Sequence, residues 1–180
     1  NDAVYLMMIR HLLANDRIDT FTKSRFVTQA ELLSQNLPGN KANNFRFEDK
    51  KGIAGDLYSL KPIPVLLYFN NPECEACKLL TQLLADSETL RKLISKGEIL
   101  VVSVYAEHNL QAWKSTPTPD HWQIVRALDP DHISSLYDLR AIPSLYLLDE
   151  RKHVLLKDAG PEEILKAITH LLNKQTQNNL

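Results

Sequence analysis

The only two cysteines of the chain, Cys74 and Cys77, lie three positions apart in the segment NNPECEACKLL. Cysteines at this spacing can exchange with disulfides, supply half of a zinc site, or form a structural crosslink. Zinc requires four ligands, and the sequence has neither a second C-x-x-C nor a matching histidine pair. A crosslink across so short a loop would restrain the unfolded chain little. The spacing therefore favours a redox-active pair, with an inert pair or a metal site as alternatives.

A strand and a helix are predicted to position the two cysteines. The segment IPVLLYFN is apolar on both faces, which is typical of a buried central strand. The segment CKLLTQLLADSETLRKLISKG has leucines at helical spacing and predicts one helix that ends at Gly97. Cys74 would stand at the start of this helix, where unpaired N–H groups stabilise a thiolate. We expect Cys74 to be the more exposed and more acidic thiol, with Cys77 one turn further along.

Charged neighbours of Cys74 oppose this stabilisation. Glu73 and Glu75 are like charges beside a thiolate, and only Lys78 in the next turn offsets them. If the carboxylates prevail, the pair should be a reductant, with a potential nearer about -270 mV than about -120 mV. Tyr68, on the predicted strand, is interpreted as a core residue with a bonded hydroxyl, and also as a candidate modulator of the thiol pKa values.

The composition predicts one globular domain with a substantial core. The chain has 180 residues, of which 44% are hydrophobic and 24% charged. A formal net charge of -1 without long charged runs gives no indication of nucleic acid or of an anionic membrane surface as a partner. No apolar run approaches the roughly 20 residues that span a bilayer. Because the chain begins at Asn1, a removed signal peptide or lipid anchor is compatible with the sequence.

Residues 1–38 are predicted to form a helical extension. Two segments have apolar residues at helical spacing, the second behind a candidate cap at Ser24, and the stripe that includes Met7 and Met8 is interpreted as core packing. Breakers at Pro38 and Gly39 end the extension.

The remaining segments predict an alternating α/β order. NNFRFEDKKGIAGDLYSL indicates a hairpin, and EILVVSVYA indicates a buried strand parallel to the one before the cysteines. Residues 107–131 are predicted as a mixed helix and loop insert whose Trp113 and Trp122 pack and whose His108, His121 and His132 are solvated. A short helix beginning at Pro130, a strand hairpin with its turn at residues 149–152, and a helix from Pro161 that buries residues up to Leu172 complete the domain at residue 173. Residues 174–180 are predicted as a flexible tail.

Three separated segments resemble a known family. The segments GNKANNFRFEDKKGIAGDLYSL, VLLYFNNPECEACK and YDLRAIPSLYLLDERKHVLLK resemble bacterial extracytoplasmic thiol:disulfide oxidoreductases of the TlpA/ResA type. The resemblance covers roughly Gly39 to Leu172. It implies a thioredoxin-like α/β fold over residues 39–173, in which a mixed central sheet is flanked by helices in three layers.

The resemblance also implies roles for individual residues. Cys74 would attack a disulfide, Cys77 would resolve the mixed disulfide, and Ile142 with a cis Pro143 would line the groove for the substrate backbone. No cofactor or metal would be needed. The partners would be protein or peptide disulfides and dithiols, together with a regenerating redox protein. The setting would be periplasmic or otherwise extracytoplasmic, and a membrane tether in a removed N-terminal segment is compatible with the resemblance.

Two positions depart from the family pattern. Glu73 occupies the place before the first cysteine where the family commonly has tryptophan, and Tyr68 occupies the place where thioredoxins proper have a buried acid. Glu73 or Glu75 could substitute as a base, although an acid at a helix start more often complements the helix dipole.

Two other functions share the predicted fold. One is a protein-binding module in which Glu73 and Glu75 have suppressed the redox activity of the cysteines. The other is a peroxidase, which would need its thiol activated by neighbouring threonine and arginine side chains, for which Thr81 and Arg140 are weak candidates.

Overall fold

A seven-stranded mixed sheet forms the centre of the molecule. The computed structural model describes residues 2–139 and 141–178, with side chains within residues 4–139 and 141–171. The strands are β1 (Arg46–Asp49), β2 (Ala54–Asp56), β3 (Val65–Phe69), β4 (Leu100–Tyr105), β5 (Gln123–Ala127), β6 (Ser144–Leu148) and β7 (Val154–Lys157). Their order across the sheet is β2-β1-β5-β4-β3-β6-β7. Strands β3, β4 and β5 are parallel, and the other neighbours pair antiparallel.

Helices cover both faces of the sheet, as the sequence predicts. The helices are α1 (Asp2–Leu13), α2 (Thr20–Ser34), α3 (Glu75–Asp86), α4 (Glu88–Ser95), α5 (Leu110–Ser115), α6 (Pro130–Leu136) and α7 (Pro161–Asn178). Helices α3, α4 and α7 contribute to the core on one face, and α6 contributes to the core on the other. The result is the predicted three-layer α/β architecture with an N-terminal helix pair.

Strand β3 lies inside both cores. All five of its residues are fully buried, with Val65, Leu67 and Phe69 on one face and Leu66 and Tyr68 on the other. A strand alternates its side chains between faces, so a run without polar positions can be satisfied only where helices cover both sides. The predicted buried strand and its parallel pairing with β4 are confirmed.

The helix after the cysteines is broken, which corrects the prediction of one helix up to Gly97. Helix α3 ends at Asp86, and Ser87 begins α4 by accepting a hydrogen bond from the backbone N–H of Leu90 at 3.3 Å. Serine favours helix caps because its hydroxyl can satisfy a free N–H group. The leucine periodicity continues across the break, so it could not reveal that the helix is interrupted at Ser87.

The insert contains a strand that the sequence interpretation missed. Strand β5 pairs parallel with β4 and antiparallel with β1, and thereby joins the N-terminal hairpin to the sheet. Its five residues are flanked by prolines and by a helix start, so they looked like part of a loop. The predicted packing of the two tryptophans is confirmed, since Trp113 and Trp122 are buried.

The N-terminal helix pair packs through a different stripe from the predicted one. Leu6, Ile9 and Leu33 form its core, whereas Met7 and Met8 are 71% and 57% exposed. The cap of α2 is Asp19, which accepts from the Thr22 N–H at 2.9 Å, and not Ser24. The apolar residues of α1 occur on more than one side of the helix, so spacing alone did not identify the buried side.

Polar contacts attach the helix pair to the sheet domain. Lys157 of β7 donates to the carbonyl oxygens of Leu33 and Gln35 at 2.8 and 3.0 Å. Asn36 donates through its side chain to the Leu136 carbonyl at the end of α6 at 2.7 Å. These bonds fix the chain where the extension meets the first strand.

The last helix extends beyond the predicted end of the domain. Helix α7 begins at Pro161, as expected, and continues to Asn178, into the segment interpreted as a tail. The side chain of Leu172 and residues 179–180 lie outside the described residues. No helix in the described part of the chain is long and apolar enough to cross a membrane.

Two leucines of α3 provide a test of this packing. Leu84 is fully buried, and Leu79 is 71% exposed on the same helix. We expect Leu84→Ala to lower the free energy of unfolding by about 2–5 kcal/mol because it leaves a cavity in the core. Leu79→Ala should change it by less than about 0.5 kcal/mol. Urea unfolding followed by tryptophan fluorescence measures both; equal losses would contradict the packing described.

Candidate functional site: the cysteine pair

Cys74 lies in the loop between strand β3 and helix α3, directly before the first residue of the helix. The chain leaves β3 through Asn70, Asn71 and Pro72, and Cys74 is the residue that caps α3. The Cys74 N–H donates to the Asn71 carbonyl at 3.1 Å, and the Cys77 N–H donates to the Cys74 sulfur at 3.3 Å. The Cys74 sulfur therefore accepts a free N–H of the first helical turn, as the sequence predicts.

The two thiols differ in exposure. Both are free thiols; Cys74 is partly exposed, and Cys77 is 1% exposed. The expected difference in exposure is confirmed, whereas the greater acidity of Cys74 stays a prediction. Cys74 is the sulfur that an incoming disulfide can reach.

Burial raises the pKa of Cys77 to about 12. A hydrogen bond with Cys74 and the charges of Cys74 and Glu107 add to the effect, and the backbone N–H of Asn71 opposes it. At neutral pH Cys77 thus carries its proton, which suits a thiol that acts only after Cys74 has reacted.

Tyr68 lies beneath the pair. Its hydroxyl donates to the Cys77 carbonyl oxygen at 2.6 Å and contacts the Thr81 hydroxyl oxygen at 3.1 Å. The ring is fully buried, and burial raises the pKa of the phenol well above its usual value. Tyr68 is therefore a core residue with a bonded hydroxyl, and its phenol is a hydrogen-bond donor at neutral pH where thioredoxins proper have a buried acid.

Three carboxylates lie near Cys74: that of Glu75 is paired with a lysine, whereas those of Glu73 and Glu107 belong to residues that bond to Asn71. Glu75 forms an ion pair with Lys78 at 2.5 Å, and both side chains are largely exposed. Glu73 is exposed, and its backbone N–H donates to the Asn71 side-chain oxygen. Glu107, which follows β4, accepts a hydrogen bond from the Asn71 amide at 2.9 Å.

Asn71 and Glu107 were missed by sequence reasoning. They are 36 residues apart, and only Asn71 lies in a segment that the sequence analysis singled out. Their meeting follows from the parallel pairing of β3 with β4, because parallel strands end at the same edge of a sheet. A polar residue two positions after the end of each of two adjacent parallel strands was the signal that could have found them.

Ile142 and Pro143 lie beside the end of β3. The peptide bond between them is cis. Strand β6 starts at the next residue, and Ser144 pairs with Phe69, the last residue of β3. The chain thus brings this dipeptide to the edge of the sheet from which Cys74 departs.

The other candidates contribute no second centre. His108, His121 and His132 are exposed, as expected, and His108 lies 3.2 Å from Asp131. Among the described residues, no three of His, Cys, Asp and Glu could hold a metal ion together. Thr81 bonds to Tyr68, and Arg140 lies outside the described residues.

Comparison with known proteins identifies similar structures. No protein-family model matches the chain, and no curated protein matches it. A thioredoxin-like protein from Bacteroides caccae is 32% identical, with a TM-score of 0.89 over 94% of this chain. The chain spans 62% of the length of that protein. Residues 39–180 alone could not supply 94% of the chain, so the match includes most of residues 1–38.

Two further structures match the sheet domain. The C-terminal domain of an uncharacterized protein from Bacteroides fragilis is 34% identical, with a TM-score of 0.69 over 74% of this chain and 98% of that domain. A domain of a possible thiol-disulfide isomerase from Cytophaga hutchinsonii is 26% identical, with a TM-score of 0.66 over 80% of this chain and 99% of that domain. The chain is thus similar to these domains over nearly their whole length.

The difference between the two thiols predicts their alkylation. With a pKa of about 12, only about one Cys77 in 10⁴ is a thiolate at pH 8, against about a quarter of ordinary thiols. We expect iodoacetamide to label Cys74 and to leave Cys77 unmodified, with Cys77 labelling rising about tenfold per pH unit from pH 8 to 11. Mass spectrometry of peptides measures this, with Cys74→Ser as the control. Labelling of Cys77 at the rate of an ordinary thiol would contradict the prediction.

Proposed function

The chain belongs to the thioredoxin-like proteins with a C-x-x-C pair, and on that premise we propose that it is a dithiol–disulfide oxidoreductase acting on protein or peptide disulfides. The observation that carries the proposal is the pairing of a partly exposed Cys74 at a helix start with a buried Cys77 whose N–H bonds to the Cys74 sulfur. The exposed Cys74 sulfur would react with the substrate disulfide, and the buried Cys77 sulfur would react only with Cys74.

The proposed reaction is a two-step exchange. The Cys74 thiolate attacks one sulfur of the substrate disulfide, the substrate S–S bond breaks, and the other substrate sulfur leaves as a thiolate that takes up a proton from water. The Cys77 thiol gives its proton to water and its sulfur attacks the Cys74 sulfur, the mixed disulfide breaks, and the second substrate sulfur leaves as a thiolate that takes up a proton. The substrate gains two electrons, and the protein becomes a Cys74–Cys77 disulfide. A dithiol partner must then reduce that disulfide.

We propose that Ile142 and Pro143 bind the substrate backbone. Both are partly exposed, and they lie at the start of β6, beside the strand end that leads to Cys74. An extended peptide at this edge could add to the chain as a short strand, which would align its disulfide with Cys74.

The proposed direction of the reaction is reduction of substrate. Strong oxidants of this chemistry stabilise a thiolate in their reduced form. Here burial holds the pKa of Cys77 high, and Glu73 directly precedes Cys74, whereas the charge of Glu75 is offset by its ion pair with Lys78. These features disfavour thiolates and therefore favour the disulfide, which makes the dithiol a better reductant.

The proposed setting is extracytoplasmic, as the family resemblance implies. A regenerating redox partner in the same compartment would restore the dithiol after each cycle. Fractionation of the source cell with an antibody to the chain tests the setting directly.

Insulin reduction tests the proposed function. With dithiothreitol as the regenerating dithiol, we expect the protein to accelerate the precipitation of insulin chains. Cys74→Ser should abolish the acceleration because it removes the attacking sulfur. When reduced Cys77→Ser is mixed with insulin in the absence of dithiothreitol, it should accumulate a mixed disulfide with insulin because no resolving thiol is present. The mixed species is detected by non-reducing electrophoresis and mass spectrometry. A wild-type protein that folds but does not exchange would refute the proposal and favour a binding module.

The redox potential tests the proposed direction. We expect equilibration in defined thiol buffers, followed by alkylation and mass spectrometry, to give a reversible couple below about -180 mV and nearer about -270 mV. Comparing the potentials of Glu75→Gln and Lys78→Met distinguishes the effect of the Glu75 carboxylate on the potential from the effect of its ion-pair partner. A potential near about -120 mV would show that the helix N-terminus outweighs burial and charge.

A further inference from the structure

The rim of the cysteine site has an excess of negative charge. Three carboxylates, those of Glu73, Glu75 and Glu107, are exposed around the end of β3. The only cation that pairs with one of them among the described residues is Lys78, which is bound to Glu75. Glu73 and Glu107 therefore keep their charge uncompensated by a salt bridge within the part of the chain that the structure describes.

Asn71 holds this arrangement together. Its side-chain oxygen accepts the Glu73 N–H at 2.8 Å, and its side-chain amide donates to the Glu107 carboxylate at 2.9 Å. Its carbonyl oxygen accepts the Cys74 N–H at 3.1 Å. One neutral side chain thus fixes the Glu107 carboxylate relative to the loop that carries Cys74, without neutralising it.

These charges affect the pKa values of two groups near the site: Tyr105 responds to both carboxylates, and Cys77 responds to Glu107. Burial raises the pKa of Tyr105, and the negative charges of Glu107 and Glu73 raise it further. Glu107 also adds to the raised pKa of Cys77. Both carboxylates therefore act on the same small region, although they belong to the loops after two different strands.

The neighbouring charges do not reverse the sign of the rim. His108, next to Glu107, lies 3.2 Å from Asp131 at the start of α6, and both side chains are exposed. Glu75 forms an ion pair with Lys78, and Lys78 also interacts with the charge of Glu73, so one cation faces three carboxylates. The net contribution of the described charged side chains at this edge is negative.

We propose that Glu107, fixed by Asn71, acts with Glu73 to make Cys74 select disulfides flanked by positive charge, such as those in basic protein or peptide segments. This inference rests on the proposed function and names its substrate class. Charges of one sign around a site favour the approach of oppositely charged partners and repel like-charged ones. The carboxylates contact the substrate flanks, whereas Asn71 is a positioning residue.

Three small disulfides of similar chemistry test the selectivity. Cystamine carries two ammonium groups, hydroxyethyl disulfide is neutral, and oxidised glutathione has a net negative charge. The second-order rate constants for oxidation of the reduced protein are measured by acid quenching and mass spectrometry. Each is divided by the rate constant of the same disulfide with 2-mercaptoethanol, which removes the intrinsic reactivity of the disulfide.

We expect the normalised rates to fall in the order cystamine, hydroxyethyl disulfide, oxidised glutathione. At low salt the first should exceed the last by about tenfold or more, and the ratio should approach one near 1 M salt because the Debye length is then about 3 Å. Glu107→Gln should lower the low-salt ratio at least threefold, because it removes one negative charge from an exposed site.

Glu98→Gln is the matched control. Glu98 precedes β4 by two residues and Glu107 follows it by two, so the control removes the same charge from the opposite end of the same strand. Its ratio should equal that of the wild type. A ratio near one in the wild-type protein, or a ratio that Glu107→Gln leaves unchanged, would overturn the selectivity while exchange with the neutral disulfide upholds the proposed function. Absence of exchange with all three disulfides would overturn both.

Discussion

The burial of β3 on both faces is the constraint on which the functional end of the molecule depends. Its five residues are fully enclosed, so the strand cannot slide or turn without exposing apolar surface on one side of the sheet. The position of its last residue is therefore fixed, and the loop that follows carries Cys74 to the start of α3. Asn70 strengthens this point, since its N–H donates to the Val104 carbonyl and its side chain to the Ser103 hydroxyl. The loop that carries Cys74 is thus anchored to a strand that is buried on both faces.

The parallel pairing of β3 with β4 gives the site its second loop. Because both strands end at the same edge, Glu107 arrives beside Asn71, and the charge around Cys74 is set by two loops rather than one. The antiparallel neighbour β6 begins at that edge and places Ile142 and Pro143 there. Strands β3, β4 and β6 therefore bring Cys74, Glu107 and the partly exposed Ile142–Pro143 dipeptide to the same edge of the sheet.

Burial gives the two cysteines different exposure, although their side chains are chemically identical. Cys77 points into the core, where desolvation raises the pKa of its thiol, and Cys74 remains partly exposed above it. Tyr68 supports this division by bonding to the Cys77 carbonyl, and it remains protonated at neutral pH. The polar group beneath the pair is thus a neutral hydrogen-bond donor.

The sequence by itself determined the local elements and the identity of the reactive pair. The apolar run of β3, the helix start at Cys74, the strand hairpins and the helices at Pro130 and Pro161 follow from periodicity and capping, which are local properties. Tertiary structure alone decided that β5 joins the sheet, which side of α1 is buried, and that Asn71 meets Glu107. Each of these depends on partners distant in sequence, because hydrogen-bond ladders and packed faces reward contacts that no local pattern encodes. The charge around Cys74 is therefore a property of the fold, whereas the thiols themselves are a property of the chain.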